Sequence, residues 1–299
     1  MILLTGITGK SGRWFLEALD KDCGELKQEE FRAVVRKSSN LSKLNECQLS
    51  VEKKFGDLED GEFLDEVMKG VDTVFHIAGI KFSRKVVNAA IKNKVKWIVC
   101  VHTTGMYSKY KSASEGYVKI ENEINQITER SGVSTTILRP TMIYGSVEDR
   151  NVIVFIKMVK RLKLFPVVNN ARYLLQPVHE KDLGRAYYQV LLNEDTTMGR
   201  NYNLSGKSPI LLIDMLKAIG KCMDRENIFV SVPFSLAYTG AWGLYFLTIC
   251  RVDYREKVQR LVEPRVFSHE EATQDFGYDP ISFEEGIVNE VEEYLELMK

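Results

Sequence analysis

"MILLTGITGKSG", residues 1–12, decides the fold. An apolar run at 2–5 enters a stretch that holds Gly6, Gly9 and Gly12 among the hydroxyl residues Thr5, Thr8 and Ser11. A helical pattern follows at 12–20, so the order reads strand, glycine-rich turn, helix. A turn that passes beneath a diphosphate needs positions without Cβ, so that backbone N–H groups approach the phosphates. In this reading Gly6 makes the tight turn, Gly9 admits the phosphates and Gly12 lets helix and strand pack closely. Thr8 and Ser11 offer hydroxyl donors, and Lys10 adds positive charge. A P-loop requires four residues between the glycine and the Gly-Lys-Ser, and that spacing is missing here.

The same rhythm continues downstream. Strand-like runs at 2–5, 32–35, 51–54, 73–77, 97–101, 135–138 and 201–204 alternate with helical patterns at 12–20, 60–69, 83–94, 114–131 and 181–193. Such alternation predicts an α/β fold, a doubly wound parallel sheet covered on both faces. Beyond about residue 208 helical patterns at 210–223, 235–250 and 284–298 dominate. They predict a small, mostly helical second domain, joined by 146–175, where the earlier rhythm also breaks. The expected division is therefore 1–145 with 176–208, and 146–175 with 209–299.

Lys+Arg and Asp+Glu number 41 each, so bulk charge gives no argument for nucleic acid. Cys23, Cys47, Cys100, Cys222 and Cys250 are odd in number, scattered and never spaced Cys-x-x-Cys. That pattern reads as reduced thiols of a cytoplasmic protein, with neither disulfide framework nor zinc site. The early strand argues against a signal peptide. Residues 227–250 carry no charge. They have the length of a membrane span but include Pro233, two glycines and several hydroxyls. A buried or lid helix is the first expectation and peripheral membrane contact the second.

The Gly-x-x-Gly-x-x-Gly spacing resembles the short-chain dehydrogenase/reductase superfamily, in its extended and atypical branch of epimerase/dehydratase-like proteins. Further stretches carry the resemblance in order: "GDL" at 56–58, "VFHIAG" at 74–79, "TILRPTMIYG" at 136–145, "QPVHEKDLGRA" at 176–186 and "NYNLSG" at 201–206. It covers about residues 1–210 well and the remainder loosely. The resemblance implies a nicotinamide dinucleotide, with Asp57 and Leu58 at the adenine, Ala78 and Gly79 binding it from the place of the family's strand-four Asn-Ala-Gly element, and Pro140 and Met142 along the nicotinamide. It also implies homodimerisation through helices 83–94 and 114–131.

An NAD site calls for an acidic residue at the end of the second strand, to bind the ribose 2′-OH. Here "FRAVV" ends in Arg36, Lys37, Ser38 and Ser39. Two cations and two hydroxyls suit a 2′-phosphate, so NADP is favoured over NAD.

Catalysis in the superfamily uses Tyr-x-x-x-Lys and a nearby Ser or Thr. Thr103 falls at the hydroxyl position, with Thr104 beside it, and Lys119 with Glu123 matches the family's Lys-x-x-x-Glu. Lys119 is then expected to hold the nicotinamide ribose. Four residues before Lys119 stands Glu115, not tyrosine. Tyr117 lies two before it, about 200° around a helix instead of 400°. The proton carrier is therefore open between Glu115, a relocated Tyr117 or Tyr107, and no residue at all, with His102 as a further candidate. His102, His76, His179 and His269 otherwise read as structural or exposed, and their spacings make no metal site.

The ending "FGYDPISFEEGIVNEVEEYLEL" at 276–297 reads as a turn before an acidic amphipathic helix, and resembles extended members acting on nucleotide-sugars. Arg255, Arg260 and Arg265 could meet a substrate diphosphate or be surface charges. Phe165, Pro166 and Arg172 are expected near the pocket between domains. Two functions are carried forward. The first is an NADP-dependent oxidoreductase or epimerase/dehydratase-like enzyme acting on a nucleotide-sugar or related carbonyl/hydroxyl substrate. The second is a catalytically degenerate, NADP-binding redox sensor acting through a protein partner.

Overall fold

The computed structural model describes residues 1–299 except 22–25, 27, 28, 249, 250 and 252; the side chains of 111–113 are likewise outside the description. Cys23 and Cys250 lie outside the described residues, while Cys47, Cys100 and Cys222 form no disulfide.

Seven parallel strands form the central sheet: β1 Ile2–Thr5, β2 Phe31–Val35, β3 Val51–Phe55, β4 Thr73–His76, β5 Trp97–Val101, β6 Ser134–Pro140 and β7 Asn201–Leu204. Their spatial order is β3-β2-β1-β4-β5-β6-β7. Every residue of β1, β4 and β5 is buried, as expected for a parallel sheet covered on both sides. Alternation then sorts the side chains. Leu4, Phe75 and Val99 face Phe15, Leu19, Leu183 and Tyr187 of helices Lys10–Lys21 and Glu180–Leu192. Leu3, Val74 and Ile98 face Leu64, Val86 and Ile124 of helices Gly61–Val67, Ser83–Lys92 and Lys111–Ser131. Strand order reverses between β1 and β4. The crevice at their carboxyl ends is where ligands bind in open α/β sheets.

A second core joins helices Val152–Arg161, Leu212–Cys222 and Phe283–Glu296 through Ile156, Val159, Leu216, Ile219, Ile287 and Val291. Ser282 and Glu285 close a capping box at the start of the last helix. This unit also contains short strands: Leu164–Val168 runs parallel to Ile228–Val232, and Leu174–Leu175 antiparallel to Ile210–Leu211.

The expected boundary needs one correction. Residues 270–278, assigned to the second domain, pack on the sheet layer. Ala272, Phe276 and Tyr278 join the core of Tyr187 and Tyr202. The Tyr202 hydroxyl donates to Asp275 at 2.6 Å, and that of Tyr278 to the Ser205 carbonyl at 2.9 Å. Aromatic surface left bare beside β7 is covered by this returning segment, a pairing that strand and helix periodicity does not encode.

Candidate functional site

The β1 turn has the geometry that its glycines require. Gly6 adopts φ +77°, and a Cβ there would lie 2.6 Å from the Ala78 nitrogen. A Cβ on Gly12 would lie 2.2 Å from the Gly6 carbonyl oxygen. The turn is therefore packed directly under the end of β4, and its bare backbone lines a groove of about 940 Å³. Gly6, Thr8, Gly9, Lys10 and Ser11 line one end of this groove. Asp57, Leu58, Ala78 and Gly79 line its walls, and Arg36, Ser38, Ser39 and Asn40 its far end. Helix Lys10–Lys21 begins at the groove, with its first N–H groups in the place that attracts an anion. The cradle fits a dinucleotide diphosphate. Lys37 does not line the groove, whereas its neighbour Arg36 does. Lys10 does line it, and its ammonium donates to the Glu148 carbonyl oxygen. Burial lowers the Lys10 pKa, against the raising influence of Asp149, Glu180 and Glu148.

His76 locks this cradle. Its buried ring accepts from the Thr5 hydroxyl through Nδ1 at 2.7 Å and donates through Nε2 to the Gly79 carbonyl at 3.2 Å. Burial, then the nearby His102, pushes its pKa down to about 3. The unfolded chain gains a proton below about 6.5 that the folded chain refuses until about 3. In that window stability falls as pH falls, by about 1.4 kcal/mol per pH unit from this residue. Urea midpoints measured from neutral to acidic pH should therefore fall more steeply for the parent chain than for His76→Asn. Parallel slopes would show that the ring is not held neutral.

A second, smaller cavity of about 230 Å³ opens at the ends of β5 and β6. Thr103, Thr104, Tyr107 and Ser108 line it from one side, Thr141, Met142 and Gln176 from another, and Arg260, Glu263 and Arg265 close it. Asn151 lines both cavities, so groove and small cavity meet there. Glu263 fastens the closing segment by accepting from the Ser108 hydroxyl and the Lys109 N–H, both at 2.8 Å. The Nε groups of Arg260 and Arg265 are buried without a hydrogen-bond partner. Burial, then the adjacent Arg260, lowers the pKa of Arg265, against Glu263. Arg260 and Arg265 thus line a polar cavity, and each keeps one buried guanidinium donor without a partner.

Several expected catalytic residues stand elsewhere. Thr103 is in the small cavity, its hydroxyl oxygen accepting from the Gly105 N–H at 3.0 Å. Tyr107 is there too, its ring 5.3 Å from that of Phe267. Glu115 and Lys119 are exposed and line neither cavity. Tyr117 also lines neither, although its ring reaches the Gly105 turn at the rim. The helix face explains this. Ser114, Glu121, Ile124 and Thr128 form the buried stripe of Lys111–Ser131, and Lys119 lies about 200° from Glu121. Counting four from Tyr117 reaches Glu121, so an acid occupies the helix position at which a Tyr-x-x-x-Lys pair would place its lysine. Pro140 lines neither cavity, its carbonyl instead accepting from the Thr104 hydroxyl, and Met142 lines the smaller cavity only. Gly12 supports the turn from beneath. Phe165 is buried in the second core, and neither Pro166 nor Arg172 lines a cavity. Arg255 stacks over Trp242 and Tyr245 and is bound to Asp253.

A buried charge network, absent from the expected site, holds this region together. Glu121 receives Arg139 through Nε at 3.0 and 3.2 Å and through a second guanidinium nitrogen. It also receives the His102 Nδ1–H at 2.9 Å, while His102 Nε2 lies 3.2 Å from the Ser83 hydroxyl. Burial alone raises the Glu121 pKa, but the bonds from His102 and Arg139 prevail and the net shift is downward. The signals were an arginine inside an apolar strand and a glutamate on the buried stripe of a helix.

Comparison with known proteins agrees with the groove. A family model described as NAD(P)H-binding matches residues 6–158, just over half the chain. The chain belongs to this NAD(P)H-binding family, on the fold of the extended short-chain dehydrogenase/reductases. An Arabidopsis thaliana NADH dehydrogenase [ubiquinone] 1 alpha subcomplex subunit 9 is 22% identical over 246 residues, 78% of this chain. A chloroplast stem-loop binding protein of 41 kDa from the same plant is 28% identical over 183 residues, 56% of this chain. The chain spans only 60% and 47% of those two relatives' lengths. A 2-alkyl-3-oxoalkanoate reductase of Shewanella oneidensis is 23% identical over 283 residues, covering 78% of this chain and 72% of its own. Among solved structures, gox2253 superposes with a TM-score of 0.79 at 19% identity, over 99% of this chain and 98% of its own. The Citrobacter sp. triphenylmethane reductase complexed with NADP(H) gives 0.71 at 18% identity, over 96% and 99%.

Proposed function

We propose that the chain is an NADP-dependent oxidoreductase acting on a small substrate that carries a carbonyl or hydroxyl and, beyond it, an anionic group. The observation that carries this reading is the small cavity joined to the groove at Asn151, with hydroxyl residues on one wall and Arg260 and Arg265 on another. Arg36, Ser38 and Ser39 at the groove's far end, with no carboxylate among residues 36–40 that follow β2, favour the 2′-phosphate of NADP. Bound in the groove, a nicotinamide supplies or accepts the hydride. Thr103 donates a hydrogen bond to the substrate oxygen, and Tyr107 gives or takes the proton at that oxygen. Arg260 and Arg265 fix the anionic end. A cavity of about 230 Å³ is below the roughly 300–1,000 Å³ of pockets for larger ligands. That favours a small oxo acid over a nucleotide-sugar. The named activity of the Shewanella relative, reduction of an oxoalkanoate, supports the same class.

The test is loss of NADPH absorbance when the protein is offered 2-alkyl-3-oxo acids. Tyr107→Phe should lower kcat by about a hundredfold, with Tyr117→Phe close to the parent. No NADPH consumed with any oxo acid, or turnover lost in Tyr117→Phe and kept in Tyr107→Phe, would refute the assignment.

A further inference from the structure

Helix Phe234–Leu247 is uncharged along its whole length, yet only Ala241 of its residues is buried. Leu247 is 84% exposed, and Leu236 and Phe246 are each 64% exposed. An all-round apolar helix is normally covered by protein or lipid. Its chief neighbour is helix Arg255–Leu261, whose Arg255 lies 4.2 and 4.0 Å from the ring centres of Trp242 and Tyr245. The ribbon that leads into the helix extends the apolar surface. Strand Ile228–Val232 pairs Ile228 with Leu164 and Val230 with Pro166, and all four are exposed on one face. No helix among the described residues is long and apolar enough to cross a membrane.

Charge in the stretches that build this surface is one-sided, while beside the helix Asp253 is paired with Arg255. The two stretches that build it, 151–179 and 227–251, contain Lys157, Lys160, Arg161, Lys163, Arg172 and Arg251 and no aspartate or glutamate. In a chain with 41 residues of each sign, that asymmetry is local. Asn227 binds the Val159 and Leu162 carbonyls at 2.9 and 2.6 Å, which sets Lys160, Arg161 and Lys163 at the start of the apolar ribbon. Asp224 and Glu226 stop just short of it, among Lys221 and Arg225. Apolar side chains rimmed by cations complement an anionic lipid surface, where acyl chains take the first and headgroups the second.

We infer that the chain docks on anionic membranes through helix Phe234–Leu247 and the ribbon beside it, with the cations of 157–163 against the headgroups. The helix lies in the interface and does not span. The adjoining helix Arg255–Leu261 carries Arg260 into the small cavity, so the docked surface borders the mouth of that cavity.

The full chain is mixed with phosphatidylcholine vesicles, with and without phosphatidylglycerol, and sedimented. Binding is expected only with the anionic lipid, with a blue shift of Trp242 emission and weakening as salt is raised. Leu236→Glu with Leu247→Glu should abolish it. Lys160→Glu with Arg161→Glu and Lys163→Glu should weaken it by about a hundredfold or more. NADPH affinity, read by calorimetry, should be unchanged in both variants, which separates this surface from the groove. Absence of sedimentation with either vesicle would overturn the inference. So would equal binding by the charge-reversed variant, or a dimer in vesicle-free solution that Leu247→Glu splits while lipid binding is nil.

Discussion

Glu121→Ala lowers the unfolding free energy by about 3–5 kcal/mol. The reason is asymmetry. With its carboxylate present, Glu121 repays burial through Arg139 and His102. Without it, the Arg139 guanidinium, with a side chain 9% exposed, is left as a buried charge with its principal partner gone. The network also ties four elements: helix Lys111–Ser131, helix Ser83–Lys92 through Ser83, the end of β5 through His102, and β6 just before Pro140. Chemical unfolding should therefore show both the lost stability and, under native conditions, lost turnover, since Thr103 and Met142 hang from those strand ends. Glu121→Gln should recover part of the stability. The pH dependence has a defined sign. The folded carboxyl titrates below its ordinary value, so its contribution is present at neutral pH and lost as pH falls through the folded pKa. A Glu121→Ala chain as stable as the parent would mean that the network is decoration.

Arg260→Ala and Arg265→Ala each lower kcat/KM by about a hundredfold or more, without a matching loss of stability. Removal of a surface charge would leave kcat/KM unchanged. In the small cavity both Nε groups lack a partner, and burial, then the charge of Arg260, lowers the Arg265 pKa. Such an arrangement costs folding free energy unless an anion completes it. Removing Arg265 relieves that repulsion, so its melting temperature should hold or rise while activity collapses. Steady-state kinetics beside thermal unfolding reads both. Full activity in both variants would remove the anionic end from the substrate.

The β-α rhythm was legible because parallel strands buried on both faces must be apolar throughout. All seven sheet strands fall where strand-like runs predict them, the edge strand β3 being the one that is not apolar. The glycine turn was legible because Gly6 and Gly12 obey steric limits that no other residue satisfies. The small cavity was not. Lys119 matched a spacing, but spacing along a helix does not name its buried face; Ser114, Glu121, Ile124 and Thr128 do, and they turn Lys119 outward. Glu263, Arg260 and Arg265 reach Thr103 and Tyr107 from some 150 residues away. Only the packed second unit brings them together. Arg36 was readable and Lys37 was not separable from it, because a loop's backbone path decides which of two adjacent cations faces the groove.

Isothermal titration of the purified chain with NADPH and NADH decides whether the glycine cradle and Arg36 hold a phosphorylated dinucleotide. NADPH should bind at least about tenfold more tightly than NADH, the worth of one charge-assisted phosphate contact, and Arg36→Glu should reverse the order. Heat with neither coenzyme, or tighter NADH binding by the parent chain, would contradict it.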